Sequence, residues 1–245
     1  MKFFFTGLPK LFTPLSTLSL EVSGIVQTQN LYGGGYTGKN VILGFLDTGI
    51  DYRHPAFLHS NGQSRILSIW DQTDRTGTPP PQFPYGSLYE KSDLDDALRS
   101  RDPLSVVPVT DPDGHGTYVA GVAGGTPNAS AGFLGAAPEA DFAVVKLKPA
   151  KQNLKDFYLV STNAPVFEED DLLSAMRFLN EVAAREGKTT GHLSGTWNKS
   201  GKSFRNPSHR SDAGALRKYA GHYSGLRHRQ RGKRRSPLLW LRIRK

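Results

Sequence analysis

Three short apolar runs interrupt an otherwise polar chain: Val41–Leu46, ILSIWD at 66–71 and DFAVVKL at 141–147. Apolar runs without alternation read as strands buried on both faces, the habit of a parallel sheet. Two other stretches carry helical spacing. From His115 to Gly124 the small residues Val119, Ala120, Val122 and Ala123 recur at helical intervals and permit close packing on a sheet. Residues 168–186, EEDDLLSAMRFLNEVAARE, form the clearest helix, with Leu172, Met176, Leu179 and Val182–Ala183 along one face. Its acids crowd the first turn, where the helix dipole favours them, and Gly187 stands at the C-cap position. Strands alternating with helices predict an α/β fold with a parallel sheet. Residues 72–113 are polar and proline-rich, with a helix-like patch in SDLDDALRSR, and read as an insertion over one end of the sheet. Residues 1–40 read as a loop-rich N-terminal extension.

The pattern stops after Gly187. No run in 188–245 has ordinary strand character, and no amphipathic helix there is long enough to predict. Charge changes at the same point. The whole chain carries a net +9, yet residues 1–187 hold 15 Lys and Arg against 21 Asp and Glu, a net −6. Residues 188–245 hold 16 Lys and Arg against one acid, Asp212, a net +15. The basicity therefore says nothing about partners of the first 187 residues. The tail lacks the apolar surface needed to offset ordering entropy and is expected to be disordered. The expected organisation is an extension over 1–40, a partial domain over 41–187 and a basic tail over 188–245.

Composition narrows the chemistry. The chain has no cysteine, which excludes a disulfide framework, a thiolate nucleophile and cysteine-ligated metal. No apolar run approaches membrane-spanning length. The start, MKFFFTGLPKLF, is broken by Gly7, Pro9 and Lys10 and does not read as a secretory signal. A cytoplasmic product is the expectation.

Two positions stand out. Asp47 closes the first predicted strand, at the C-terminal edge where α/β sheets place ligand chemistry. His115 lies between Gly114 and Gly116 at the start of the small-residue helix. A hydroxyl nucleophile needs a base to take its proton, and that base needs a carboxylate to hold its tautomer and stabilise its cation. Asp47 and His115 are candidates for those two roles. Asp47-Thr48-Gly49 also matches the D-T-G of aspartic proteases, but those use two copies and this chain has one.

In this order and context the two stretches become specific. VILGFLDTGIDYRHPAF (41–57) resembles the aspartate motif of the subtilisin-like serine proteases (peptidase S8), and DGHGTYVAGVAGG (113–125) resembles their histidine motif. Tyr118 replaces the second histidine usual there. GAAPEADFAVVKL (135–147) resembles the next landmark, where G-x-A-P precedes a buried strand. The 68-residue spacing between Asp47 and His115 and the phrases RILSIWDQT and VVKLKPAKQNLKDFY look most like the clostridial branch, which includes proteases and pseudoproteases of spore germination. The resemblance covers residues 12–187.

It implies the N-terminal half of a parallel sheet flanked by helices, and cleavage of polypeptide substrates by a serine nucleophile. It implies Asp47 as orienting carboxylate and His115 as general base, and a cytoplasmic or spore-associated location. No cofactor is expected. Calcium is common in the family, but no carboxylate-rich loop here is assigned to it. The family's oxyanion asparagine and its G-T-S-x-A-x-P serine motif are absent from the sequence. GHLSG (191–195) and GHYSG (221–225) are G-x-x-S-G and do not fit the G-x-S-x-G nucleophile elbow. The simplest expectation is a frameshift near codon 188, leaving a chain that does not hydrolyse peptides. The alternative is a non-catalytic pseudoprotease fragment that regulates a partner, with a basic arm. RHRQRGKRR could bind nucleic acid electrostatically, but aromatic residues are sparse around it and that partner is disfavoured. No membrane partner is expected.

Overall fold

The computed structural model describes residues 17–31, 35–160 and 165–194, all within one compact unit that ends at Gly195. The three apolar runs become strands: β1 is Val41–Asp47, β2 is Ile66–Asp71 and β4 is Asp141–Lys146. β4 lies between β1 and β2 and pairs parallel with both. Asp47 therefore falls opposite Lys146 at the C-terminal edge of the sheet.

Alternation along β1 divides the core into two layers. Ile42 and Leu46, with Ala143, Val145 and Trp70, face the long helix α7 (Glu169–Glu186), which contributes Phe178, Leu179 and Val182. Leu43 and Phe45 face the other way. There Phe45 stacks on Phe142 at 5.8 Å between ring centroids, and Phe142 meets Phe57 edge-on at 5.4 Å. Helix α5 (His115–Gly124) covers this second face, its Gly124 backbone against Leu43 and Phe142. The small-residue stripe along α5 permits that approach.

The rest of the chain departs from the sequence expectations in three places. The extension is not all loop: α1 (Thr17–Val22) and α2 (Ile25–Gln29) precede β1. The insertion does more than cover one end of the sheet. Its β3 (Ser87–Glu90) adds an antiparallel edge strand beside β2, followed by α3 (Lys91–Arg99) and α4 (Pro103–Val106). Phe83 and Tyr85 of the same insertion fold onto Trp70, whose indole N–H donates to the Tyr85 carbonyl at 3.1 Å. A further short helix, α6 (Gln152–Phe157), lies between β4 and α7.

The third correction concerns the boundary after Gly187. Gly187 does end α7 in the left-handed conformation, at φ 62°. The chain then enters β5 (Thr189–Ser194), which pairs parallel with β1 from Val41↔Thr189 to Leu46↔Ser194. The sheet order is β3-β2-β4-β1-β5. A polar, glycine-containing sequence takes this place because a ladder is built from main-chain groups, which TTGHLS supplies as well as an apolar run does. A helix leaving β4 must also return its chain beside β1, since such crossovers are short and of one hand. The fit is imperfect: Thr190 Oγ1 and His192 Nε2 are buried without a hydrogen-bond partner among the described residues, and burial holds the His192 imidazole below its ordinary pKa. The disorder expected beyond this strand concerns residues outside those described.

Candidate active site

β1 and α5 supply the two candidate residues, and the fold brings them together. His115 Nδ1 lies 2.8 Å from Asp47 Oδ1. Asp47 is 2% exposed and His115 50%, so a buried carboxylate holds a ring that reaches solvent. A carboxylate can only accept, which places the proton on Nδ1 and leaves the Nε2 lone pair to act as a base. Asp47 Oδ1 also accepts the Thr48 N–H at 2.7 Å. Its other oxygen, Oδ2, is buried with no partner among the described residues.

Close backbone contact makes the distance possible. A Cβ on Gly116 would stand 2.2 Å from the Gly49 carbonyl oxygen and 3.0 Å from Asp47 Cβ. Only glycine lets the first turn of α5 rest against the strand end. The spacing of the two motifs carries no trace of this requirement; the glycine after His115 does.

Three residues not singled out from the sequence complete the site. Asp111 accepts the Thr117 N–H at 2.8 Å and the Thr117 hydroxyl at 2.7 Å through Oδ2, and the Thr48 hydroxyl at 2.7 Å through Oδ1. Thr117 Oγ1 in turn accepts the Asp51 N–H at 2.9 Å. The first turn of a helix leaves backbone N–H groups without intrahelical partners. In α5 the Gly116 N–H finds Thr48 Oγ1 at 3.3 Å, and the Thr117 N–H finds Asp111. Burial alone would raise the Asp111 pKa, but the hydrogen bonds from Thr117 and Thr48 outweigh it and hold the carboxyl below its ordinary value. An Asp three residues before the Gly-His-Gly start, with Thr two residues after the histidine, was the available signal: both types cap helix N-termini.

Residues 38–169, more than half of the chain, match the model of the subtilase family. The chain belongs to that family. Its subtilase relatives include the subtilisin-like protease SBT2.2 of Arabidopsis thaliana, 31% identical over 54% of this chain and 17% of that protein. The subtilisin-like protease PopC of Myxococcus xanthus is 34% identical over 46% of this chain and 17% of its own length. Among solved structures, the CspB protease of Clostridium perfringens superposes with a TM-score of 0.59 and 31% identity, over 73% of this chain and 33% of that one. The chain thus spans less than a fifth of the length of these curated relatives and a third of the solved protease. A clostridial protease among the structural neighbours agrees with the branch that the sequence resembles.

Among the described residues, no three His, Cys, Asp or Glu side chains gather closely enough to hold a metal ion. No helix among them is long and apolar enough to cross a membrane.

Proposed function

We propose that Asp47 and His115 are the carboxylate and general base of a serine endopeptidase acting on polypeptides, and that this chain lacks the nucleophile they serve. The 2.8 Å contact between His115 Nδ1 and Asp47 Oδ1 carries the reading. In the relay, Nε2 takes the proton of a serine hydroxyl as it attacks the scissile carbonyl. The buried Asp47 carboxylate then stabilises the imidazolium. Neither the serine motif nor the oxyanion asparagine of the family occurs in these 245 residues. Without them no acyl-enzyme forms.

The segment after Gly187 supports an out-of-frame origin. A strand beside β1 should offer apolar side chains to α7. Here the strand carries Thr189, Thr190, Gly191 and His192, and Thr190 Oγ1 and His192 Nε2 are buried with no hydrogen-bond partner among the described residues. The chain is the first part of a clostridial-type germination protease, located in the cytoplasm or spore, whose reading frame is lost near codon 188. The second reading, a regulatory pseudoprotease fragment, draws on the same missing serine.

The test has two steps. The chain as it stands is assayed with a fluorogenic peptide and a fluorophosphonate probe, and neither turnover nor labelling is expected. The gene is then resequenced across codons 180–200 and expressed in the frame that continues the family pattern. Turnover should appear and should fall by about 10³-fold or more in His115→Ala. Turnover by the present chain that is lost in His115→Ala would overturn the inactivity. A restored frame indifferent to His115→Ala would overturn the relay. A confirmed native frame, with binding to a full-length relative and no turnover, would favour the regulator.

A further inference from the structure

The Thr48 hydroxyl has two carboxylates to choose from and one proton to give. Its oxygen lies 2.7 Å from Asp111 Oδ1 and 3.2 Å from Asp47 Oδ1. A hydroxyl donates one hydrogen bond, and the shorter contact to an ionised acceptor is the stronger. The proton therefore goes to Asp111. Asp47 Oδ1 is left with two donors, the Thr48 N–H and His115 Nδ1–H. We infer that Asp111 is a positioning residue for the Asp47–His115 pair: by taking the Thr48 proton it keeps that proton off the oxygen that orients His115. The inference deepens the relay reading and rests on it.

The network supports this more closely than a simple cap would. Asp111 fastens both sides of the site, the Asp47 loop through Thr48 and the first turn of α5 through Thr117. Among the described residues, its donors are those two threonines and the Gly114 N–H. The other acids nearby are otherwise engaged or exposed: Asp51 pairs with Arg53 at 2.8 Å, and Asp113 lies exposed in the turn before α5.

Asp111→Asn separates positioning from capping. An amide has one acceptor oxygen. The Thr117 N–H is a fixed donor and claims it, which turns the amide NH₂ toward Thr48 Oγ1. Thr48 then has a donor facing it and must turn its own proton to Asp47 Oδ1. A third donor on that oxygen weakens the bond from His115 Nδ1–H.

The readout is the His115 Nδ1 proton, followed by NMR on ¹⁵N-histidine-labelled full-length chain. In the wild-type protein it should lie downfield and exchange slowly. In Asp111→Asn it should move upfield and exchange faster. In the double variant Thr48→Ala/Asp111→Asn it should return toward the wild-type position, since no hydroxyl remains to be redirected. Damage to the helix cap alone would persist in the double variant, and that result overturns the inference. Thr48→Ala by itself decides where the proton goes even if Asp111→Asn fails to fold. An unchanged resonance is expected; a downfield move would show that Thr48 donates to Asp47 in the native protein, and the inference would fall. Absence of any downfield Nδ1 proton in the wild type would remove the relay reading and the inference together. A wild-type signal indifferent to Asp111→Asn would remove the inference alone.

Discussion

Gly116→Ala sets two physical effects against each other. In the interior of a helix, alanine is favoured over glycine by about 1 kcal/mol, because glycine loses more backbone freedom on folding. If that effect ruled, the variant would be more stable. The structure gives the opposite sign. The added Cβ would stand 2.2 Å from the Gly49 carbonyl oxygen, 3.0 Å from Asp47 Cβ and 3.3 Å from Asp47 Cγ. Non-bonded heavy atoms settle about 3.5–4.0 Å apart, so the first contact must open by more than about 1 Å. Neither side gives easily. Gly49 O is backbone, and the Gly49 position is itself pressed against Thr110, where a Cβ would stand 2.4 Å from the carbonyl oxygen. Overpacking of this kind costs about 1–3 kcal/mol, and moving α5 outward also lengthens the His115–Asp47 bond. A net loss of up to about 2 kcal/mol is expected once the helix preference is subtracted. Urea unfolding of the full-length chain measures it as a lower midpoint at unchanged slope. Gly121→Ala is the internal comparison: its Cβ would meet nothing nearer than Phe133 Cζ at 4.0 Å. There the helix preference is unopposed, and a gain of about 0.5–1 kcal/mol follows. Equal or greater stability in Gly116→Ala would refute the argument that close approach, and not helix preference, sets this residue.

Arg65 is buried at the opposite end of β2, pushed down to about 10 by burial, and its guanidinium lies 4.8 Å over the Phe142 ring. It donates to the Ala140 carbonyl and, at 2.8 Å, to Thr126 Oγ1. Arg65→Met strands the Ala140 carbonyl and should lower stability by about 1–3 kcal/mol in a urea titration, with the His115 Nδ1 proton unmoved; an unchanged midpoint would contradict it. His192 is held below its ordinary pKa by burial, so the unfolded chain binds its proton first. Its contribution is intact above the unfolded value of about 6.5 and is lost as pH falls through the lower folded value. His192→Leu should raise the midpoint at neutral pH and flatten its decline between about pH 7 and 5; parallel pH profiles for the two proteins would argue against this. His115→Ala, the decisive variant for the relay, should also lower stability by about 1–3 kcal/mol, because it takes the Nδ1–H donor from the buried Asp47 carboxylate.

Most of the scaffold around the site was legible from one-dimensional pattern. The apolar runs that became β1, β2 and β4 are buried on both faces, and such strands carry their signal in every residue. Helix α7 was legible for a related reason: its apolar face, acidic first turn and Gly187 cap are local features. Asp47 and His115 were legible because a carboxylate at a strand end and a histidine between glycines form a family motif. What the pattern could not carry was any element whose reason lies elsewhere in the chain. β3 has only four residues and forms because β2 offers an edge. β5 contains neither an apolar run nor alternation, and it exists as a strand because α7 delivers it beside β1, where main-chain pairing is available to almost any sequence.

The site divides along the same line. Sequence alone determined which residue types could perform the chemistry, because an imidazole base and a carboxylate partner are properties of side chains. Tertiary structure alone decided that Asp47 and His115, 68 residues apart, meet at 2.8 Å, and that Asp111, Thr48 and Thr117 lock the two motifs together. Hydrogen bonds are short-range and directional. Their partners are fixed only once packing has set the distance between a strand end and a helix start, and here that distance is set by a glycine with no side chain to keep them apart.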